Sequence, residues 1–305
     1  MLRRSSRSFE WPTLLLLAAA YGLWVLGTTL VWDWSLALAV ILTALAVAQH
    51  SSLQHEALHG HPFRNEHLNH ALVFLPLGLV YPYIRFRDTH LAHHHDPILT
   101  DPYDDPESNY QDPAVWARMP VPLRMLLRAN NTLLGRMVLG PALGAVVFIA
   151  GDVRAMLRGD RRILGAYALH GAGLALLAGW WWAGPGRMSL GGYLLAAYLG
   201  GSILKIRTYL EHRAHEAARA RTVIIEDRGP LALLFLNNNL HVVHHIHPQV
   251  PWYDLPTLYR RNRDHYLRRN EGYLYRSYGE IFLNYFLKAK DPVPHPVWPV
   301  RKRGE

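Results

Sequence analysis

The chain of 305 residues contains no cysteine. Disulfide bonds, cysteine-ligated zinc and cysteine-held iron–sulfur clusters are therefore excluded. Charged residues are also scarce, at 18% of the sequence against 50% hydrophobic residues. The scarcity is uneven, because long stretches carry no acidic or basic side chain at all. That distribution is typical of a membrane protein.

Four apolar stretches are long enough to cross the ~30 Å hydrocarbon core of a bilayer as helices. They comprise residues 11–32, 34–53, 163–182 and 190–209. Only the inner end of the fourth stretch carries basic residues, Lys205 and Arg207. Arginines precede the first stretch, as in a signal peptide, but its apolar run is too long for one, which favours an anchor.

Two further apolar pieces, residues 69–83 and 137–150, contain prolines or glycines and are predicted to be too short to cross. We expect them to form re-entrant or surface-lying helices. Residues 54–162 and 210–305 are predicted to be cytosolic.

The formal net charge is +9, a balance that is also typical of nucleic-acid-binding proteins. The basic residues, however, concentrate on one predicted side of the membrane, including Arg154, Arg158, Arg161 and Arg162 just before the third stretch. This positive-inside pattern places both termini in the cytosol. We expect no nucleic-acid partner, and a single all-α domain, 1–305, in a bacterial inner membrane. Its four transmembrane helices would carry a helical cytosolic cap that holds a histidine-rich dimetal site.

Nineteen histidines are present, and many gather beside the inner ends of the predicted spans. The clusters are "HEALH" (55–59), "HLAHHH" (90–95), "LEH" (210–212) and "HVVHH" (241–245). The predicted topology brings all four clusters to the same side of the membrane.

Helical geometry selects candidate ligands within each cluster. Residues four apart on a helix differ by roughly 40°, so two imidazoles at that spacing address one point. The candidate metal ligands are His55, His59, His90, His93, His94, His212, His241, His244 and His245. The same geometry directs His50, His95 and His247 away from the others and leaves the role of His215 open.

Nine imidazoles exceed the three protein ligands of a catalytic zinc and suit two metal ions. Imidazole accepts zinc, copper, iron and nickel, so the ligand type does not name the metal. "HEALH" also matches the zinc-protease signature, in which the glutamate activates water.

The motifs "HEALH", "HLAHH", "RTYLEH" and "HVVHH" resemble the histidine boxes of the membrane fatty-acid desaturase superfamily. The following "HPQVPWYDLP" is also similar to carotenoid ketolases and hydroxylases. The resemblance implies two non-haem iron ions, O₂ as co-substrate and a lipid or acyl substrate in the membrane. It also implies a separate electron donor of ferredoxin, rubredoxin or cytochrome type, since no such domain is fused.

Within this resemblance we favour desaturation of a fatty acyl chain to give a C=C bond. The alternative is a hydroxylase, ketolase or monooxygenase acting on a fatty acid, hydrocarbon or carotenoid. An intramembrane zinc protease is more remote, because the third and fourth stretches contain no aspartate as a further ligand. A histidine-rich metal transporter is weaker still, because only His170 lies deep in a span.

Residues near the histidines have predicted supporting roles. Glu56 and Glu211 adjoin ligand histidines and are expected to orient imidazoles, or else to be ordinary surface glutamates. The aspartates after the second cluster are predicted to shape a loop: Asp101, Asp104 and Asp105. A basic cluster is expected to bind either an acidic electron donor or anionic lipid headgroups; it comprises Arg260, Arg261, Arg263, Arg268 and Arg269.

Overall fold

The computed structural model describes residues 9–298, which are mostly helical. The helices are α1 (Trp11–Thr28), α2 (Leu30–Trp34), α3 (Leu36–Leu58), α4 (Glu66–Leu72), α5 (Tyr83–His93), α6 (Pro113–Arg118), α7 (Val121–Asn130), α8 (Leu133–Leu157), α9 (Arg161–Trp182), α10 (Leu190–Thr208), α11 (Pro230–Leu234), α12 (His241–Ile246), α13 (Leu255–Arg261), α14 (Arg263–Arg269) and α15 (Tyr278–Tyr285). Two short strands, β1 (Ile224–Ile225) and β2 (Leu274–Tyr275), pair in parallel. The predicted all-α fold class is confirmed.

Four helices of the described chain are long and apolar enough to cross a membrane: Trp11–Trp34, Leu36–Leu58, Leu133–Leu157 and Arg161–Trp182. Three of them overlap predicted stretches. The remaining predicted stretch, 190–209, forms α10 but is not among these four, since its glycines and basic inner end reduce its apolar character. The chain is a membrane protein by these features.

The prediction that residues 137–150 are too short to cross is wrong as to length. They lie inside α8, a continuous helix of 25 residues that includes Pro141. Thr132 caps its start by accepting a hydrogen bond from the Gly135 amide. Pro141 has no amide hydrogen and so removes one hydrogen bond from α8. The helix nevertheless continues, because Pro141 packs closely against Gly201 of α10. Glycine and proline were therefore weaker helix breaks than expected.

The other short piece, residues 69–83, is not one helix. After α4 the chain runs without helix to Tyr83 and inserts between α9 and α10. Tyr193 donates to the Leu77 carbonyl at 2.9 Å, and His170 Nε2 lies 2.8 Å from the Leu79 carbonyl. These side chains supply the hydrogen bonds that irregular backbone needs at membrane depth.

The long helices α1, α3, α9 and α10 form a bundle whose two ends differ in chemistry. At one end Trp180 donates to Thr28, and Gly192 of α10 lies against the ring of Trp32. The opposite ends of α3 and α10 lead into the histidine clusters. Tryptophans gathered at the end of a bundle are typical of the boundary between a bilayer and water.

Helix α8 contacts the cap at both of its ends. Near its start, the Leu134 amide donates to the Phe286 carbonyl at 3.0 Å, and Leu133 packs in a core with Leu210. Near its end, the Asp152 carboxylate accepts three hydrogen bonds of 2.8–3.1 Å from Nε and Nη2 of Arg85, in α5. A helix that crosses the membrane has its ends on opposite sides, so these contacts favour a surface-lying α8.

The cysteine-free chain allows a direct test of this orientation. We expect single cysteines at the exposed residues Arg128 and Arg158, which flank α8, to react with a membrane-impermeant maleimide from the same side of sealed vesicles. A cysteine at exposed Pro185, in the loop between α9 and α10, should react only from the other side. Labelling of Arg128→Cys and Arg158→Cys from opposite sides would show that α8 crosses.

Candidate metal centre

The histidines form two compact groups whose ring nitrogens lie within 4.8 Å of one another. One group contains His55, His59, His90, His94 and His244, and the other contains His93, His212, His241 and His245. Together they comprise all nine predicted candidates. No other histidine among residues 9–298 belongs to either group.

Each histidine is placed by a short piece of regular structure. His55 lies in the last turn of α3, and His59 caps that helix. α5 ends at the second cluster and α12 carries the last. His212 follows α10 and pairs by its backbone with Thr222 in an antiparallel bridge. Four separate segments therefore converge on one centre.

Ring nitrogens face each other directly within the groups. The Nε2 atoms of His93 and His212 lie 2.8 Å apart, and those of His90 and His94 lie 2.9 Å apart. The Nε2 atom of His244 is 3.2 Å from that of His94. Two ligands about 2.1 Å from one ion are separated by about 3 Å when they subtend a right angle at it. The spacing fits imidazoles that share a metal ion.

Some buried ring nitrogens also have no hydrogen-bond partner among residues 9–298. Nε2 of His55, Nε2 of His59 and Nδ1 of His212 are in this state. An unsatisfied buried polar atom costs ~1–3 kcal/mol, so such atoms are rare in a folded protein. The Nε2 atoms of His55 and His59 lie in the five-membered group, where binding to a metal ion would satisfy both.

Carboxylates fix the orientation of two imidazoles in the second cluster. His93 Nδ1 donates to Asp105 at 2.7 Å, and His90 Nδ1 donates to Glu107 at 2.8 Å. Both bonds leave the Nε2 atoms directed at their groups, as is usual for metal-ligating histidines. The interpretation of Asp105 as a residue that only shapes its loop missed this contact, and Glu107 was not predicted. Their acid-rich loop, so close after a ligand cluster, was the available signal.

The loop that carries Asp105 is itself tightly held. Asp105 accepts hydrogen bonds from the amides of Thr100 and Glu107 at 2.8 and 2.9 Å. The C-terminal segment braces the same loop, because the amides of Gln111 and His295 pair with carbonyls across the two segments. This bracing restricts the orientation of the imidazole that Asp105 contacts.

Glu211 acts on the second group through an amide. Asn238 donates to Glu211 at 3.1 Å and accepts from His241 Nδ1 at 3.0 Å. Arg207 lies 3.1 Å from the Glu211 carboxylate. This chain of contacts orients His241 with its Nε2 toward His212, at 3.1 Å.

Glu56 has a different environment from the one expected. It accepts a hydrogen bond from the Trp252 amide at 2.8 Å and lies 4.0 Å from His61 Nε2. Glu10, Glu56 and His61 form a separate buried group beside the centre. Glu56 therefore joins α3 to the segment after α12, and it is not placed as the water-activating glutamate of a protease.

The electrostatics of the centre favour neutral imidazoles, with His93 as an exception. Burial, together with neighbouring histidines, lowers the pKa of His94 to about 3. Burial alone would lower the pKa of His93, but Glu107 and Asp105 raise it to about 9. A proton on His93 Nε2 would bridge to His212, and a metal ion would displace that proton.

The remaining predicted residues lie outside both groups. His50 contacts the Tyr21 hydroxyl at 3.2 Å, and His95 is exposed. His215 lies 3.5 Å from Glu271, and the His247 ring packs near Tyr266. Asp101 accepts hydrogen bonds from the amides of Tyr103 and Asp104, so it shapes the loop.

Two histidine groups of this kind, at one end of a mostly helical membrane protein, could each hold a metal ion. The fatty acid desaturase family model matches residues 32–278, and the chain belongs to that family. The family supports a desaturase- or hydroxylase-like oxidoreductase with a lipid substrate. A search of curated proteins finds no match.

The contact between Asp105 and His93 predicts a selective effect on metal retention. Asp105→Asn should weaken metal affinity by about tenfold, because the amide supports the imidazole less well than the carboxylate. Metal retained after dialysis against graded chelator, measured by elemental analysis, checks this. Asp104→Asn is the matched control, since Asp104 is exposed and contacts no ligand histidine among the described residues. Equal losses in both variants would contradict the proposed support.

Proposed function

We propose that the chain is an O₂-dependent di-iron desaturase that introduces a C=C bond into a fatty acyl chain. The observation that carries the proposal is the convergence of nine imidazoles into a group of five and a group of four at one end of an apolar bundle. The expected location is a bacterial inner membrane, with the centre and both termini in the cytosol. The basic segments flanking the spans support this orientation.

Iron fits the centre better than zinc. Zinc is not redox-active, whereas the chemistry of the family is oxidation and reduction. Five imidazoles in one group also exceed the tetrahedral set that structural zinc takes. Imidazole is a suitable ligand for iron.

The reaction balances with a separate electron donor. A –CH₂–CH₂– unit, O₂, two electrons and two protons give –CH=CH– and two waters. When bound, the two iron ions supply the activation of O₂ for this chemistry. The protein's residues hold the ions, fix the imidazoles through Asp105, Glu107 and Asn238, and position the lipid.

Hydroxylation is the second candidate, and it shares the same centre. The segment "HPQVPWYDLP", similar to that of ketolases and hydroxylases, favours it. Trp252 of this segment packs with Leu53 and Ala57 of α3 in one core, close to the first histidine cluster. Insertion of one oxygen atom would leave a product heavier by that atom, so the products distinguish the two reactions.

Metal analysis combined with lipid analysis tests the proposal. We expect about two irons per chain in the purified protein, and cells expressing it should contain a lipid lighter by two hydrogens than its precursor. His244→Ala should lose iron and the product, because His244 belongs to the five-membered group. Elemental analysis and mass spectrometry of extracted lipids are the measurements.

The matched control is His95→Ala, which removes an exposed histidine next to His94. This variant should retain iron and product. A product heavier by one oxygen would assign hydroxylation instead. One zinc per chain with unchanged lipids would overturn the oxygenase proposal.

The electron donor is proposed to be a separate ferredoxin, rubredoxin or cytochrome-type protein that binds near His245. His245, Arg219 and Arg269 line one small surface depression. Arg268, next to Arg269 in the chain, is exposed, and so are Arg260 and Arg261 of the preceding helix. A basic surface over a ligand histidine suits an acidic donor and gives electrons a short path to the centre.

Charge reversal tests this interface. Arg268→Glu should slow donor-dependent turnover several-fold at low salt and leave iron content unchanged, because it repels an acidic partner. Turnover at increasing donor concentration and at two ionic strengths is the measurement. Arg158→Glu, an exposed site at the turn between α8 and α9, is the control. Unchanged turnover of Arg268→Glu at low salt would rule out docking there.

A further inference from the structure

Two cations, Arg136 and Lys205, lie at the crossing of α8 and α10 with no carboxylate of the described residues in direct contact. Arg136 is only 5% exposed and donates from Nε to the Asn130 carbonyl at 3.0 Å. Lys205 is half-buried in α10 between Leu204 and Ile206. Neither forms an ion pair within the described part of the chain. The carboxylates that act on them do so through space: Asp291 on Arg136, and Glu107 and Glu211 on Lys205. A buried cation whose counter-ions are not in contact is costly.

The glycines of α8 make room for these side chains. A Cβ atom on Gly140 would lie 3.1 Å from Arg136 Cδ, 3.4 Å from Lys205 Cγ and 3.5 Å from Asn130 Oδ1. Both cationic side chains therefore run over the same glycine. A side chain at Gly140 would press on both.

The ammonium end of Lys205 lies near a second glycine and a tyrosine hydroxyl. A Cβ atom on Gly144 would lie 3.6 Å from Lys205 Nζ and 3.1 Å from the Tyr81 hydroxyl. Tyr81 is 38% exposed, so this end of the crossing opens to the surroundings. The ammonium and the hydroxyl are donors that converge on one side of α8.

We propose that this crossing is a binding site for the anionic group, carboxylate or phosphate, of the lipid substrate. Lys205 and Tyr81 would contact the anion, and Arg136 would add positive charge deeper in the crossing. The site rests on the proposed lipid-oxidising function and narrows its substrate to lipids with an acidic head. Neutral hydrocarbons and carotenoids would lack the group that the site binds.

The location suits a substrate anchor. Lys205 lies near the inner end of α10, shortly before His212, and it interacts through space with Glu107, which contacts His90. An anion bound there would therefore be held beside the metal centre. The acyl chain can lie along the apolar helices while its head is fixed at the inner boundary. Such anchoring reduces the freedom of the reacting carbon.

Direct binding to the metal-loaded protein in uncharged detergent tests the site. The probes are palmitate, hexadecanol, lysophosphatidate and inorganic phosphate, with affinity from displacement of tritiated palmitate. Palmitate should bind at least about tenfold more tightly than hexadecanol, because a charged hydrogen bond is lost in the alcohol. Lys205→Met should lose most of this difference while its affinity for hexadecanol stays unchanged.

Lys288→Met, which removes an exposed lysine of the cap, is the matched control and should behave as wild type. Equal palmitate affinity in wild type and Lys205→Met would overturn the proposal and leave Lys205 as a lysine that only reaches the headgroup region. If inorganic phosphate displaced tritiated palmitate as strongly as the lipids do, the proposal would also be overturned, because the acyl chain would then contribute nothing to binding. Lysophosphatidate binding more tightly than palmitate would support the site and assign a phosphate head.

Thermal unfolding provides a readout that does not depend on turnover. Removal of a buried cation that has no contacting counter-ion should leave the Tm of Lys205→Met equal to or above that of wild type without lipid, and palmitate should raise the Tm of wild type more than that of the variant. A lower Tm without lipid would show that Lys205 has a structural partner and would contradict the site. Iron content and lipid product are measured separately, so failure of this site is distinguishable from failure of the proposed function.

Discussion

The crowding of nine imidazoles into two groups is the constraint on which the rest of the structure depends. Nitrogen atoms about 3 Å apart carry lone pairs that repel unless a proton or a metal ion lies between them. The imidazoles come from α3, α5, the end of α10 and α12, so an ion bound at the centre joins segments distant in sequence. Bundle and cap are therefore held to each other by the same atoms that define the site.

The imidazoles are oriented by a further layer of side chains, and many contacts within the cap hold that layer in place. Asp105 and Glu107 lie on a loop that the C-terminal segment braces, and Asn238 is held by Glu211. Lys290, which belongs to the same C-terminal segment, donates a hydrogen bond to the backbone carbonyl of the candidate ligand His212. This contact fixes the backbone at His212. The last segment of the described chain thus stabilises both groups, although it supplies no imidazole.

The histidine pattern could be predicted from sequence because helical spacing alone decides which imidazoles share a direction. The partners of those imidazoles could not. Asp105 is twelve residues from His93, and only the fold of the intervening loop brings them together. Helix α8 was missed for another reason: Gly140 and Gly144 looked like breaks, whereas they allow Lys205 to cross close to the helix. A glycine that serves packing and a glycine that ends a helix have the same sequence signal.

Charge balance connects the centre to the crossing of α8 and α10. Asp105, Glu107 and Glu211 place negative charge around the imidazoles, and Arg207 offsets part of it at Glu211. Two divalent ions would make the neighbourhood positive, and Lys205 would add to that excess, because the carboxylates that act on it, Glu107 and Glu211, are the ones that already face the imidazoles. An anionic lipid head bound at the crossing, as proposed, would offset part of this excess. Binding of the correct substrate would then lower the electrostatic cost of the metal-loaded site.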